Sequence, residues 1–451
     1  MSKHKLIACL VWTLLLLTPL YTAAYDEPTV GIVVRDRNTL INICKEYLEH
    51  PNKWKEIARI NHLRNPDLIL PGQILRIPVS LLKGEPAYGV VDFIKGGVEC
   101  QSEEGKEWRL LSINDRVAEG SRIRTDSEGT VDIDFKDGNS FLQRPNTVVG
   151  IKTAKRKGDK YGLYRLFLSV GRTVTKIRNI TGTESRFEIG TPSCVAAARG
   201  TRFRTSVDPS EAARSEVLEG VVGVEGMSHK VEVREGEGTL VRKGEPPIEP
   251  RRLLQAPSIT NLMPLYGAIP VYFDFSKVAG AVSYRALLSK DNDFKDILKE
   301  QIMKPGEQFK IFQVNDGTYY LQVRSIDDLG LEGLPSDTAT VKVRINPMPP
   351  IIESPANGAV SGKNLLMFRW LRVGDAARYH VQIAEDKGFS RLVEDPSDIR
   401  DTEYKPAHLE FKTYYFRISS IAKDNYQGEW SDVFSFTIAP GSPAPAEIQR
   451  Q

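Results

Sequence analysis

The side chains that most often do chemistry are thinly spread in this chain. His50, His62, His229, His380 and His408 are scattered along the sequence, with no H-E-x-x-H and no paired spacing that would hold a metal. There is no G-x-S-x-G elbow and no phosphate-binding P-loop. Asp132, Asp134 and Asp137 read D-x-D-x-x-D-G and lack the bidentate acid that ends a calcium loop. They read instead as the solvated face of a strand closing in an Asp-Gly hairpin. Cys44, Cys100 and Cys194 fall in different stretches without a C-x-x-C, which excludes a zinc or thioredoxin-type site. They are three small buried hydrophobes, or Cys100 and Cys194 form a bridge. Lys152 to Lys160 is the one dense basic run, either a solvated loop between strands or a contact for an anionic surface. No catalytic residue, cofactor or metal is expected, and the chain reads as a non-enzyme.

Composition agrees with a folded, multidomain protein. The 451 residues are 41% hydrophobic and 26% charged, with a net charge of +3, which gives no reason to expect nucleic acid. Residues 1–24 read as a cleaved signal peptide: Lys3 and Lys5, an apolar run from Leu6 to Leu20, then Thr22-Ala23-Ala24. That run is shorter than the ~20 residues a spanning helix needs, so no integral membrane span is expected after processing.

Residues 26–80 supply a compact βααβ order. Val30, Ile32 and Val34 alternate as a strand, and Leu40, Ile43, Cys44, Tyr47 and Leu48 repeat at helical spacing. Trp54, Ile57 and Ala58 start a second helix, and Ile74 to Ile77 returns as a strand after the Pro71-Gly72 turn. The run Asn65-Pro66-Asp67-Leu68-Ile69-Leu70-Pro71-Gly72-Gln73-Ile74 resembles a LysM domain. The resemblance implies a shallow groove for N-acetylglucosamine glycans such as peptidoglycan, between the loops at 37–40 and 65–71. Its candidate residues are Asn38, Thr39, Leu40, Asn65, Asp67, Leu68 and Ile69. Arg37-Asn38-Thr39-Leu40 departs from the family's Gly-Asp-Thr-Leu. A position free of steric limits and a carboxylate acceptor are thereby lost, so a LysM-like fold that no longer binds glycan stays open.

Residues 86–245 read as β throughout. Phe187 and Ile189, then Cys194 to Ala198, then Phe203 and Thr205 give strand, turn, strand, turn, strand. Thr191, Pro192, Arg199, Gly200, Thr201 and Phe203, with Ala196-Ala197, resemble the signature of FecR-type domains. Upstream, Asp115, Val117, Gly120, Ile123 and Thr125 fit the same family, with Asn114 where glycine is usual. These signature residues are expected to be structural. Alternation of Arg202 and Arg204 places both on one exposed strand face.

Residues 246–256 read as a stiff linker. Beyond it the chain repeats itself at an offset of 95: Val278 with Val373, Tyr284 with Tyr379, Phe294 with Phe389, Ser336 with Ser431. Both copies, 257–345 and 346–440, resemble fibronectin type III modules, and 441–451 reads as a frayed tail. The fold class is therefore mostly β and multidomain: a small LysM-like βααβ module, an all-β FecR-like domain, then two β-sandwiches. The function expected is that of a non-enzymatic, exported cell-envelope protein, in the periplasm or outside the cell. It would bind peptidoglycan or a related glycan and present its β domains to an envelope protein or polymer. Envelope signalling of the FecR type is the alternative, and an undetected glycan hydrolase a third reading.

Overall fold

The computed structural model describes residues 29–102, 105, 107–157, 161–178, 186–198, 200–362, 366–407 and 409–440. The expected signal segment, Cys9, Arg199, His408 and the 441–451 tail lie outside the described residues. Two compact units form, one built on residues 29–87 with the stretch around 155–163, the other on the rest. No helix among the described residues is long and apolar enough to cross a membrane.

In the first unit, Thr29–Val33 pairs antiparallel with Ile74–Pro78, and helices Leu40–Tyr47 and Trp54–Ile60 lie between them in sequence. Helical spacing turns Leu40, Ile43, Cys44 and Ile57 onto Leu75 and Ile77, and these side chains form the core, with Trp54 packed against it. Thr39 caps the first helix, its hydroxyl accepting from the Asn42 amide at 3.2 Å. The second helix ends in a Schellman motif. The Leu63 amide donates to Ala58 and the His62 amide to Arg59, with His62 at φ +50 where glycine is usual. Asn61 then clamps the helix to the returning strand. Its amide donates to the Arg76 carbonyl at 2.7 Å and its carbonyl accepts from the Arg76 amide at 2.6 Å. Lys152 to Lys157, expected in a loop, belongs to strand Val148–Lys157, and Lys155 pairs with Glu49.

The second unit begins with a β region in which one antiparallel ladder runs through nine strands. Its order is Arg116–Ala118, Tyr88–Lys95, Thr130–Asp134, Ser140–Gln143, Tyr161–Lys176, Arg202–Val207, Ala213–Glu219, Glu237–Val241 and Arg251–Arg252. A further ladder joins Arg186–Gly190, Val195–Ala198, Val221–Gly226 and His229–Arg234. Phe135, Phe141, Tyr164 and Phe187 meet in the core, with Phe135 and Tyr164 ring centres 4.2 Å apart. Asp134 and Asp137 turn the Lys136–Gly138 hairpin by accepting from the Lys136 and Asn139 amides, at 2.5 and 3.0 Å. Asp132 corrects the expectation of a solvated face: it is buried and paired with Lys295 of the first sandwich at 2.6 Å.

Each sandwich sets a three-stranded sheet against a larger one. In the first, Ile259–Thr260, Val271–Phe275 and Phe309–Ile311 face Ile297–Met303, Ser283–Ser289, Gly317–Ile326, Glu332–Pro335 and Ala339–Val343. The 95-residue repeat holds down to single hydrogen bonds. Tyr284 Oη accepts from the Val278 amide at 2.8 Å and Tyr379 Oη from the Val373 amide at 3.0 Å. Ser336 Oγ and Ser431 Oγ accept from the Val323 and Ile418 amides, both at 3.0 Å.

The segment 246–256, expected as a linker, is tied down on both sides. Ile248 bonds to Leu240 and Thr239, Arg251–Arg252 pairs with Glu237–Gly238, and the Leu254 carbonyl accepts from the Leu334 amide. The first sandwich thereby docks on the nine-stranded ladder. Arg204 of strand Arg202–Val207 is covered rather than exposed: its guanidinium donates to the Glu332 and Gly333 carbonyls. Lysines reinforce the junction, Lys95 to Asp296 at 2.8 Å and Lys295 to Asp132.

All three described cysteines are free and buried, which leaves Cys100 and Cys194 unbridged. Burial pushes the Cys44 thiol up to about 11 and raises Cys100 and Cys194 as well. For Cys194, burial outweighs the opposing hydrogen bond from Thr191. Thiolate is scarce in all three at neutral pH, so alkylation at pH 8 is expected to label none of these thiols in the native chain and all three in denaturant, as counted by mass spectrometry.

Candidate functional site

The two loops expected to form a groove are brought together at the open end of the two-stranded sheet. The Val34 amide donates to the Gln73 carbonyl at 2.8 Å and the Gly72 amide to the Val34 carbonyl at 2.9 Å, so the 35–39 loop leaves from beside the 70–73 turn. Within the first loop, Asn38 Oδ1 accepts from the Arg35 amide at 2.7 Å. The carboxamide oxygen thus supplies an acceptor at the position where the family has a carboxylate. Arg37 sits at φ +66, the left-handed conformation that glycine adopts freely and a residue with a Cβ does not. The strain of this conformation is carried by arginine. Exchanging Arg37→Gly is expected to raise stability by about 0.5–1 kcal/mol in chemical denaturation, the relief of left-handed strain exceeding the added freedom of the unfolded chain.

In the second loop, Asn65 Oδ1 accepts from the Asp67 amide at 3.0 Å and the Asn65 carbonyl from the Leu68 amide at 3.2 Å. Gln73 Oε1 accepts from the Leu70 amide at 3.0 Å. The side-chain oxygens of Asn38, Thr39 and Asn65 are therefore engaged in shaping their own loops. Two candidates are corrected outright. Leu40 is 2% exposed and Ile69 8% exposed, both in the core beneath the loops, so neither can cover a sugar. The exposed apolar side chains are Leu68 at 67% and Leu70 at 62%, with Ile41 at the start of the helix that follows the first loop. Motif position does not single out Leu70, because alternation along an irregular loop does not say which side chain turns inward, or Ile41, which lies on the outer face of the helix. His62 serves the helix end described above.

In the signature, Thr191 knits the turn: its hydroxyl accepts from the Ser193 and Cys194 amides at 3.2 and 2.9 Å and donates to the Cys194 carbonyl at 3.0 Å. Gly200 lies at φ +56 and Gly220 at φ +83, where a Cβ would stand 2.7 Å from Thr201 Cγ2. Thr201 and Phe203 are buried, and Ala196 and Ala198 pair with Val224 and Val222. Asn114 also holds a left-handed φ of +68. Among the described residues no three His, Cys, Asp or Glu side chains come together as metal ligands would.

Residues 32–78 match the LysM domain family and residues 121–223 the FecR protein family. The chain carries a LysM domain and a FecR domain. Both are non-catalytic families. An uncharacterized protein of Deinococcus radiodurans is 44% identical over 55 residues, which are 12% of this chain and 22% of that protein. Among solved structures, a candidate anti-sigma factor from Parabacteroides distasonis is similar at 16% identity and a TM-score of 0.25, over 29% of this chain and 59% of that one. The fibronectin(III)-like modules of Clostridium thermocellum CbhA are similar at 14% identity and a TM-score of 0.19, over 40% of this chain and 93% of theirs. The match thus spans about a fifth of the Deinococcus protein and three fifths of the Parabacteroides one.

Proposed function

We propose that this chain is a non-enzymatic cell-envelope protein that holds an N-acetylglucosamine glycan of the peptidoglycan type through its LysM domain. One observation carries the reading: Leu68 and Leu70 stand exposed on the loop beside the 35–39 segment, whose backbone is held in place by Asn38 despite the missing glycine and carboxylate. Apolar side chains cover the faces of sugar rings, and backbone groups along the loops meet the acetamido groups. Such a shallow site binds weakly alone and gains from several copies engaging one polymer. The FecR domain and the two sandwiches then form the part presented to an envelope partner.

Co-sedimentation with purified insoluble peptidoglycan tests this directly. The chain from residue 25 onward is expected to pellet, and the same chain lacking residues 25–82 to stay in the supernatant. A Leu68→Ala, Leu70→Ala double variant is expected to bind about tenfold more weakly, the loss for two partly covered apolar side chains. Pelleting that survives removal of residues 25–82 overturns the assignment.

A further inference from the structure

Where the first sandwich docks on the FecR domain, the junction forms a partly open cavity of about 280 Å³. Six arginines line it: Arg144, Arg172, Arg204, Arg214, Arg285 and Arg324. The acids are fewer. Asp208 is taken by Arg214 at 2.9 Å, and Glu300, beside the cavity, by Arg172 at 2.7 Å and by Arg285. Glu332 meets Arg285 at 2.7 Å and Arg324 at 3.1 Å, and Glu216 faces Arg204 at 3.4 Å. Six cations therefore share four carboxylates, and Arg144 has no ion-pair partner among the described residues. Arg144 is 5% exposed and its Nη1 has no hydrogen bond, whereas Arg204 Nε and Nη1 face Glu216 and Glu332 at 3.4 and 3.7 Å. Thr205, which also lines the cavity, has a buried hydroxyl with no partner.

A protein seldom leaves guanidinium groups buried and unpaired, because the cost of removing a charge from water is recovered only by a counter-charge. Here burial, then the neighbouring Arg324 and Arg172, push Arg144 down to about 9. We propose that this cavity is an anion site that takes a phosphate group, held by the forked donors of Arg144 and by the Thr205 hydroxyl. A doubly charged oxyanion matches the surplus of two positive charges, and planar guanidinium forks suit its paired oxygens. The volume exceeds that of a phosphate alone, which leaves room for the phosphorylated end of a larger molecule.

The first sandwich is specialised for this. At the repeat's offset, Arg285, Glu300, Arg324 and Glu332 become His380, Asp395, Ser419 and Gln427. The second copy keeps the framework, His380 lying 2.6 Å from Asp395 and 3.3 Å from Gln427, but not the arginine surplus.

Calorimetric titration of the chain from residue 25 onward with inorganic phosphate and with glycerol 3-phosphate, against acetate at matched ionic strength, tests the site. Saturable one-to-one binding of either phosphate is expected, with Arg144→Met weakening it at least tenfold. Tighter binding of glycerol 3-phosphate identifies a phosphomonoester end, and tighter binding of inorganic phosphate the free ion. No saturable heat with either phosphate, acetate binding as well as phosphate, or Arg144→Met binding unchanged overturns the proposal. If Arg144→Met does not fold, Arg144→Lys, which keeps the charge and removes the fork, serves in its place with the same weakening expected. The wild-type titration stands whatever the variants do.

Discussion

Exchanging Glu332→Gln lowers the stability of the FecR domain and first sandwich by about 3–5 kcal/mol, the expected cost of removing one partner from a buried ion-pair network. Burial alone would raise the Glu332 carboxyl, but Arg285, Arg204, Arg324 and Arg172 override it and hold the group well below its ordinary 4.5. Removing that charge leaves a surplus of arginine facing itself. Glutamine suits the sandwich itself, because the second copy carries Gln427 at the equivalent position and bonds it to His380. The loss is shared between the sandwich, where Glu332 pairs with Arg285 and Arg324, and the junction, where it faces Arg204. The sign with pH follows from the depressed carboxyl: its contribution is complete above 4.5 and is lost as pH falls below that value toward the folded pKa. Glu216, which burial raises, works in the opposite sense: its contribution is present below 4.5 and is lost as pH rises through its raised pKa. Scanning calorimetry of wild type and variant from pH 7 to about 3 should show the gap narrowing in acid. An unchanged melting temperature at neutral pH would mean that the network does not hold the junction.

The second large effect lies in the LysM domain. Ile57 is fully buried, on the helix that packs over Leu75 and Ile77. Ile57→Ala should cost about 2–5 kcal/mol, the lost transfer energy and the cavity left behind. A module of this size rarely has more than about 3–5 kcal/mol in all. The substitution is expected to unfold this domain at 37 °C and to abolish pelleting with peptidoglycan. Cys44 reports it: its thiol becomes reactive while Cys100 and Cys194, in the second unit, stay protected. Equal labelling of all three cysteines would show that the domains unfold together, and a protected Cys44 that the helix tolerates the cavity.

Much of the fold is legible in the residues. Alternation of Val131, Ile133 and Phe135 places all three in the core, and helical spacing does the same for Leu40, Ile43 and Ile57. The 95-residue repeat marks two copies of one sandwich, because the same tyrosine and serine make the same backbone bonds in each. The candidate groove is only half legible. Motif position brings Leu40 and Ile69 under suspicion with Leu68, yet the first two turn into the core and Leu70 turns out.

Arg37 and Asn114 teach a related lesson. Both hold a positive φ, because the hydrogen bonds around each turn, such as Asn38 to Arg35 and Asn114 to Val91, hold the backbone against the side chain's preference. Residue type alone suggests that the loop changes. The surrounding bonds decide the conformation each turn holds.

By itself, then, the amino-acid order determined which elements form, which face of each strand and helix is apolar, and where the modules repeat, since these depend on neighbours a few residues apart. Only the tertiary structure decided the fate of the charged faces. Period-two alternation puts Asp132 and Arg204 on the outward side of their strands, and both are outward, but the first sandwich lies over them and pairs them with Lys295 and with the Glu332 and Gly333 carbonyls. A local period reports the direction in which a side chain points. Whether that direction meets water or another sheet depends on contacts more than a hundred residues away in the chain.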